Sequence, residues 1–288
     1  MKFMNFLEPV KNLNPEEVKK FINQKKNNEY QLLDVRQPKE YEIEHIPGTL
    51  LIPLPDLAQR IEELDKHKPT IVYCALGGRS RAASQHLLGN GFQEIYNLDG
   101  GIKAWHGYKA KGNEKIEMEF FQNDMDFENA FQLAHAMEHG LKFFYDNLKD
   151  QVEESLKNIF EKLSGFEEKH IKNLEEKYQQ ITGISFSSMG KISNTRELVE
   201  GDIRHLNDII ANSNEPYETY IDIFDLSMSI ESQAFDLYVR MGRQSDDART
   251  REVFFDIAKE EKTHLSYLAM EMEKYLKDPG FISCLEPF

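Results

Sequence analysis

Past residue 113 the chain runs for long stretches without proline and almost without glycine. Both residues break helices, so their scarcity leaves helix as the natural conformation. Apolar residues recur there at spacings of three and four, which predicts four long helices at about 125–149, 152–180, 216–242 and 246–276. The first face reads Phe127, Phe131, Ala134, Glu138, Leu141, Tyr145, and the second Leu156, Phe160, Leu163, Glu167, His170, Leu174. The third reads Tyr220, Phe224, Ser227, Glu231, Ala234, Tyr238, and the fourth Phe254, Ile257, Glu261, His264, Leu268, Tyr275. Residues 183–214, with a short helix expected near 196–210, are too long for a hairpin turn. The pattern suits a four-helix bundle with one long crossover.

Each apolar face carries one carboxylate near its middle, and two faces add a histidine three residues later. A buried, ionised carboxylate is costly unless it is paired or binds a metal. Two Fe²⁺ or Mn²⁺ ions bring enough positive charge for all four. Glu-x-x-His sets an oxygen and a nitrogen ligand on one helix face. Two such motifs plus a glutamate from each of two further helices make a di-metal carboxylate set: Glu138, Glu167, His170, Glu231, Glu261 and His264. Glu168, Glu175, Glu176, Glu260, Glu271 and Glu273 read as helix-surface charge. His135 and His139 flank Glu138 but turn away from its face, as supporting or surface residues.

The first ~110 residues have another rhythm, short apolar runs alternating with turns and short helices. "EYQLLDVR" (29–36), "TIVYC" (70–74) and "EIYNL" (94–98) read as strands; "TLLIPLPD" (49–56) carries prolines and reads as an edge strand or a loop. Helices are expected at 15–24, 56–64 and 80–89, with a short one near "GGIKAW". The alternation predicts an α/β domain with a parallel sheet. The expected organisation is a domain at 1–112, a polar linker at 113–123 and a helical domain at 124–288.

In "IVYCALGGRSRAASQHLL" (71–88) a thiol, Cys74, stands where a buried strand passes into a helix. Backbone N–H groups of such a loop and of the first helical turn lack internal partners. Aimed at the sulfur, they favour thiolate over thiol together with the helix dipole. Gly77 and Gly78 let the backbone curl close, and Arg79 adds a charge suited to an oxyanion. Cys74 is thus the candidate nucleophile, with Ala75, Leu76, Gly77, Gly78, Arg79 and Ser80 as its anion-binding loop.

Bulk properties narrow the partners. A net charge of −15 argues against a nucleic-acid surface. No stretch approaches the roughly 20 apolar residues of a membrane span. The start, "MKFMNFLEPVKNLNPEEVKK", lacks the apolar core of a signal peptide, so a cytoplasmic location is expected. Two cysteines give no disulfide framework.

Segment 29–110 resembles a rhodanese domain. "LLDVRQPKEYEIEHIPGTLLIP" is similar to that family's "DVR…E…HIPGA…P" stretch, "YCALGGRS" to its active-site loop and "NLDGGIKAW" to its closing helix. The resemblance implies that Cys74 takes a sulfane sulfur from a donor, becomes a persulfide and passes the sulfur on. The six residues from Cys74 to Arg79 match the loop length associated with sulfur substrates, thiosulfate or persulfides. Glu44 stands where the family usually has glycine.

Segment 124–278 resembles the rubrerythrin group of ferritin-like proteins. That resemblance implies a ferritin-like bundle and two iron ions, with manganese or zinc as alternatives, on the six ligands named above. Ala234 stands where rubrerythrin has a further glutamate, and rubrerythrin's four-cysteine iron domain is lacking. Turnover at the di-iron site therefore calls for an external electron-donor protein. Three functions stay open: a sulfurtransferase with a di-iron domain of redox role; a di-iron oxidoreductase for peroxide, dioxygen or a sulfur species, fed by the rhodanese domain; and an iron-binding or persulfide-sensing protein. A homodimer is the expected assembly, and Cys284 in "GFISCLEPF" is either a sulfur acceptor or simply buried.

Overall fold

A computed structural model describes residues 9–114, 118, 121, 124–149, 154–188 and 220–277. The helix expected near 196–210 and the tail thiol Cys284 lie outside the described residues. Two compact units result: residues up to Ile116 together with Ser232–Arg240, and Glu117–Glu231 together with the residues from Met241 on.

The first unit is built on a five-stranded sheet in the order β1-β5-β4-β2-β3, all pairs parallel. The strands are β1 (Lys11–Leu13), β2 (Gln31–Asp34), β3 (Thr49–Leu51), β4 (Thr70–Tyr73) and β5 (Ile95–Leu98). β4 is central and buried along its whole length. Its side chains alternate between two cores, Val72 with Leu33 and Val35 on one face, Ile71 and Tyr73 with Leu32 and Leu98 on the other. Helices covering both faces of a parallel sheet require such continuous apolar strands. β3 lies at the edge, where the prolines that follow it cost no ladder hydrogen bonds.

Around the sheet run α1 (Pro15–Asn23), α2 (Pro38–Ile43), α3 (Leu57–Arg60), α4 (Gly78–Gly89) and α5 (Gly101–Ala104). α1 opens with a capping box in which Asn14 and Glu17 satisfy each other's backbone N–H. The stretch expected as helix 56–64 divides into α3 and a 3₁₀ turn at Ile61–Glu63. Two elements were not expected. β1 is three residues long with two of them exposed, too short to show an alternation. α2 is six residues, begun by Pro38 and a Gln37–Glu40 capping box.

The four long helices are α6 (Phe127–Leu148), α7 (Glu154–Thr182), α8 (Tyr220–Gln244) and α9 (Ala248–Lys277). Each agrees with its expected span to within a few residues, the usual scatter of helix ends. α6 packs along α7, and α9 packs on both. Every described side chain of the four predicted apolar faces is buried, glutamates included. Among the described residues no helix is long and apolar enough to cross a membrane.

Candidate functional site

The cysteine loop leaves the carboxyl end of the central strand, where open parallel sheets place their ligands. Cys74 is buried, and Gly77 at φ +104° caps α4 while donating its N–H to Cys74 Sγ at 3.1 Å. The Ser80 hydroxyl lies 3.5 Å from the same sulfur and 2.6 Å from Asn97 Oδ1. Asn97 is turned by its own bond to Asn12 Oδ1 at 3.0 Å, so its oxygen faces Ser80. Burial pushes the Cys74 thiol up, but hydrogen bonds from the Ser80 hydroxyl and from the N–H groups of Ser80, Leu76 and Gly77 outweigh it, and the net shift is downward. That is the direction a nucleophilic thiol needs.

The loop is braced from behind. Ile102 N–H donates to Cys74 O at 2.8 Å and Lys103 N–H to Ala75 O at 3.2 Å. Gly101, at φ +60°, makes this approach: a Cβ there would sit 2.3 Å from Cys74 O. Arg79 is committed to a partner on α2, with both arms of its guanidinium on the Glu40 carboxylate at 2.7 Å. Hydrogen bonding to Arg79 holds Glu40 down at about 2 despite some burial. The positive charge beside the loop is therefore shared with a carboxylate. Leu76, by contrast, is 66% exposed.

In the second unit the sequence-predicted glutamates and histidines converge. Ligand atoms of Glu167, His170, Glu261 and His264 all lie within 4.8 Å of one another. Glu138 joins them at 2.8 Å from His170 Nδ1, and Glu231 at 3.0 Å from His264 Nδ1. His170 Nδ1 is 3.5 Å from Glu167 and 3.6 Å from Glu261; His264 Nδ1 is 3.5 Å and 3.4 Å from the same pair. Glu167 and Glu261 thus stand midway between the histidines, whereas Glu138 and Glu231 each touch one. Tyr145 donates its hydroxyl to Glu231 at 2.5 Å.

Among the described residues, none hydrogen-bonds either carboxylate oxygen of Glu167 or of Glu261, and all four oxygens are buried. With protein groups alone, burial first and then the neighbouring carboxylates push Glu261 far above the usual range. Burial likewise raises Glu167, against the pull of His170. His170 is carried up to about 12, because the Glu138 and Glu167 carboxylates overcome its burial. Glu231 is held at about 2: His264, beside it, overcomes the rise that burial imposes. Four orphaned oxygens facing two imidazoles form a donor set that divalent iron, manganese or zinc fits.

Two residues read as surface charge are indeed part-exposed, and each also has a specific partner. Glu260 Oε2 lies 3.1 Å from His170 Nε2, on the side of the ring away from Glu138. Glu175 Oε1 lies 3.0 Å from His135 Nε2. Each pairing crosses between helices, so one helix's periodicity carried no sign of it.

A family model for the rhodanese-like domain matches residues 14–108. Over 82 residues the chain is 51% identical to YqhL of Bacillus subtilis, an uncharacterized protein, covering 28% of this chain and 65% of that one. It is 40% identical over 77 residues to the thiosulfate sulfurtransferase GlpE of Coxiella burnetii, covering 27% of this chain and 72% of that one. A rhodanese-related protein of known structure from Thermoplasma volcanium is 31% identical, with a TM-score of 0.30, over 33% of this chain and 90% of that one.

Proposed function

The chain belongs to the rhodanese-like family through residues 14–108, and on that footing we propose that it moves sulfane sulfur through a persulfide on Cys74. The observation that carries this reading is the set of donors around one buried sulfur, Gly77 N–H at 3.1 Å foremost. The Cys74 thiolate attacks the outer sulfur of thiosulfate; the S–S bond breaks and sulfite leaves with the electron pair. The persulfide left on Cys74 is itself an anion, and the same N–H groups hold it. A nucleophilic acceptor then takes the outer sulfur and regenerates the thiolate.

The orphaned oxygens of Glu167 and Glu261 favour a second reading for the second unit, a di-metal carboxylate centre of ferritin-like type with a redox role. Glu138, Glu167, His170, Glu231, Glu261 and His264 would hold the two ions, and iron there would supply one-electron chemistry. Glu167 and Glu261, standing between both histidines, would help to hold both ions, and Glu138 and Glu231, each beside one histidine, would help to hold one. Tyr145 orients Glu231 and keeps a proton at its own oxygen, because burial and then the Glu231 carboxylate raise its pKa well above the usual range.

One sample tests both readings. Anaerobically purified, iron-supplied protein is assayed for thiosulfate:cyanide sulfur transfer and for metal content, beside Cys74→Ser. The variant should lose transfer and keep its metal. Residual transfer above about a tenth of the parent, a loss under the 1.4 kcal/mol that marks a factor of ten, would place the nucleophile elsewhere. Parent protein with no bound metal would refute the di-metal reading.

A further inference from the structure

The two halves of the glutamate–histidine cluster match on the inside and differ on the outside. Inside, each Nδ1 meets one terminal glutamate, His170 with Glu138 at 2.8 Å and His264 with Glu231 at 3.0 Å. The two rings also stack on each other, with centroids 4.4 Å apart and planes 9° from parallel. Outside, His170 Nε2 has Glu260 Oε2 at 3.1 Å. The His264 ring is instead stacked on Phe166, with centroids 4.9 Å apart, and among the described residues none hydrogen-bonds its Nε2.

That difference has a chemical consequence. A carboxylate at hydrogen-bonding distance from Nε2 keeps the imidazole proton there, which leaves the Nδ1 lone pair free and aimed inward. It also fixes the ring's rotation and makes Nδ1 a better donor. A phenyl face does neither: it confines the ring's plane but selects no tautomer. We infer that Glu260 positions His170 from outside and thereby makes the His170 end of the centre the tighter of two metal positions. The inference rests on the di-metal reading above and adds an inequality to it.

Glu260 stands apart from structural residues in a useful way. Its side chain is 39% exposed, on the rim of a cleft of about 360 Å³ that His170 and Thr263 also line. Truncating it opens room for water rather than an apolar void, so the fold should survive. Water can accept the His170 proton, but it neither holds the ring nor carries a charge.

The test uses the full chain stripped of metal, with Mn(II) titrated against a competing chelator and free Mn(II) followed by electron paramagnetic resonance. The parent should bind two ions in two resolvable steps. Glu260→Ala should weaken the tighter step by about 10- to 100-fold, the usual effect of losing a carboxylate behind a metal-bound histidine, and leave the other step and the melting of the stripped protein unchanged. Glu260→Gln keeps an acceptor oxygen without the charge and should fall between. His264→Ala should abolish the weaker step and spare the Glu260-sensitive one. An unchanged tighter step in Glu260→Ala, or equal weakening of both, would overturn the inference and leave the centre standing. No Mn(II) bound by the parent would instead overturn the di-metal reading, and this inference with it.

Discussion

The two candidate sites of this chain treat buried negative charge in opposite ways. At Cys74 the protein supplies the compensation itself: Gly77 N–H and the Ser80 hydroxyl face the sulfur, and the net effect lowers its pKa despite burial. Among the long helices the protein withholds it. Among the described residues the four oxygens of Glu167 and Glu261 are buried without a hydrogen-bond partner, and both carboxyls are pushed far upward, by burial first and then by neighbouring carboxylates. A site complete in itself is built for a transient anion that comes and goes. A site that is incomplete, and costly in that state, is one that the proposed resident cations would complete.

The contrast breaks most visibly at Glu261. If the helical site is incomplete without cations, removing one of its two central carboxylates should cost both ions an oxygen. Glu261→Ala should then drop metal content well below one ion per chain, and Glu231→Ala, at a position touching one histidine, should leave about one. Metal analysis on parent and variants prepared side by side decides it. Equal losses would erase the distinction between central and terminal carboxylates. Stripping the parent should lower its melting temperature, because an ion held at 100 times its dissociation constant adds roughly 2.7 kcal/mol. Cys74 transfer in Glu261→Ala should be unchanged.

The next largest effect belongs to the cysteine loop. A Cβ on Gly101 would lie 2.3 Å from Cys74 O and 2.6 Å from the Ala75 carbonyl carbon, both backbone atoms that cannot swing aside. Gly101→Ala must therefore displace the loop. Misplacing a reacting group by about 1 Å can cost on the order of 10²-fold in rate. Sulfur transfer should fall by roughly that factor while metal content stays at the parent value. Parent-like transfer would show that the loop tolerates a shift, and that its donors are less exactingly placed than the distances imply.

The regions also differ in how much their sequences disclosed. The long helices were legible because one periodicity ran through each, and the spacing of Glu167 to His170 and of Glu261 to His264 named a shared face outright. The strand-to-helix position of Cys74 was legible for the same local reason. What escaped was set by partners distant in sequence. Arg79 reads as a free charge beside the loop, yet its fork is taken by Glu40, 39 residues away on a helix too short to show a period. Glu260 sits next to Glu261 and so falls off the apolar face, yet the geometry of another helix puts it against His170. β1 went unseen because parallel pairing with β5, rather than its own three residues, makes it a strand.

The smallest effect sharpens the comparison from the cysteine side, because it asks whether the backbone alone completes that site. Ser80→Ala removes the hydroxyl 3.5 Å from Sγ and keeps the Ser80 N–H. The hydroxyl carries one proton, and its 2.6 Å contact with Asn97 competes for it. The reactive form is the thiolate, whose fraction falls as pH drops through the thiol pKa. Hydrogen bonds have lowered that pKa, so losing one raises it and moves the acid limb of kcat/KM to higher pH. A hydrogen bond to a charged group is worth roughly 1.5 kcal/mol at the weak end, or about one pH unit, and the long contact makes that an upper bound. Well above the limb the rate should match the parent; below it the loss should approach tenfold at most. Asn97 Oδ1, left without its donor, should lower stability by about 1–3 kcal/mol, and calorimetry separates that from the pH effect. An acid limb that stays in place would mean that Gly77 and its neighbouring N–H groups hold the thiolate unaided, making the cysteine site self-sufficient in backbone alone.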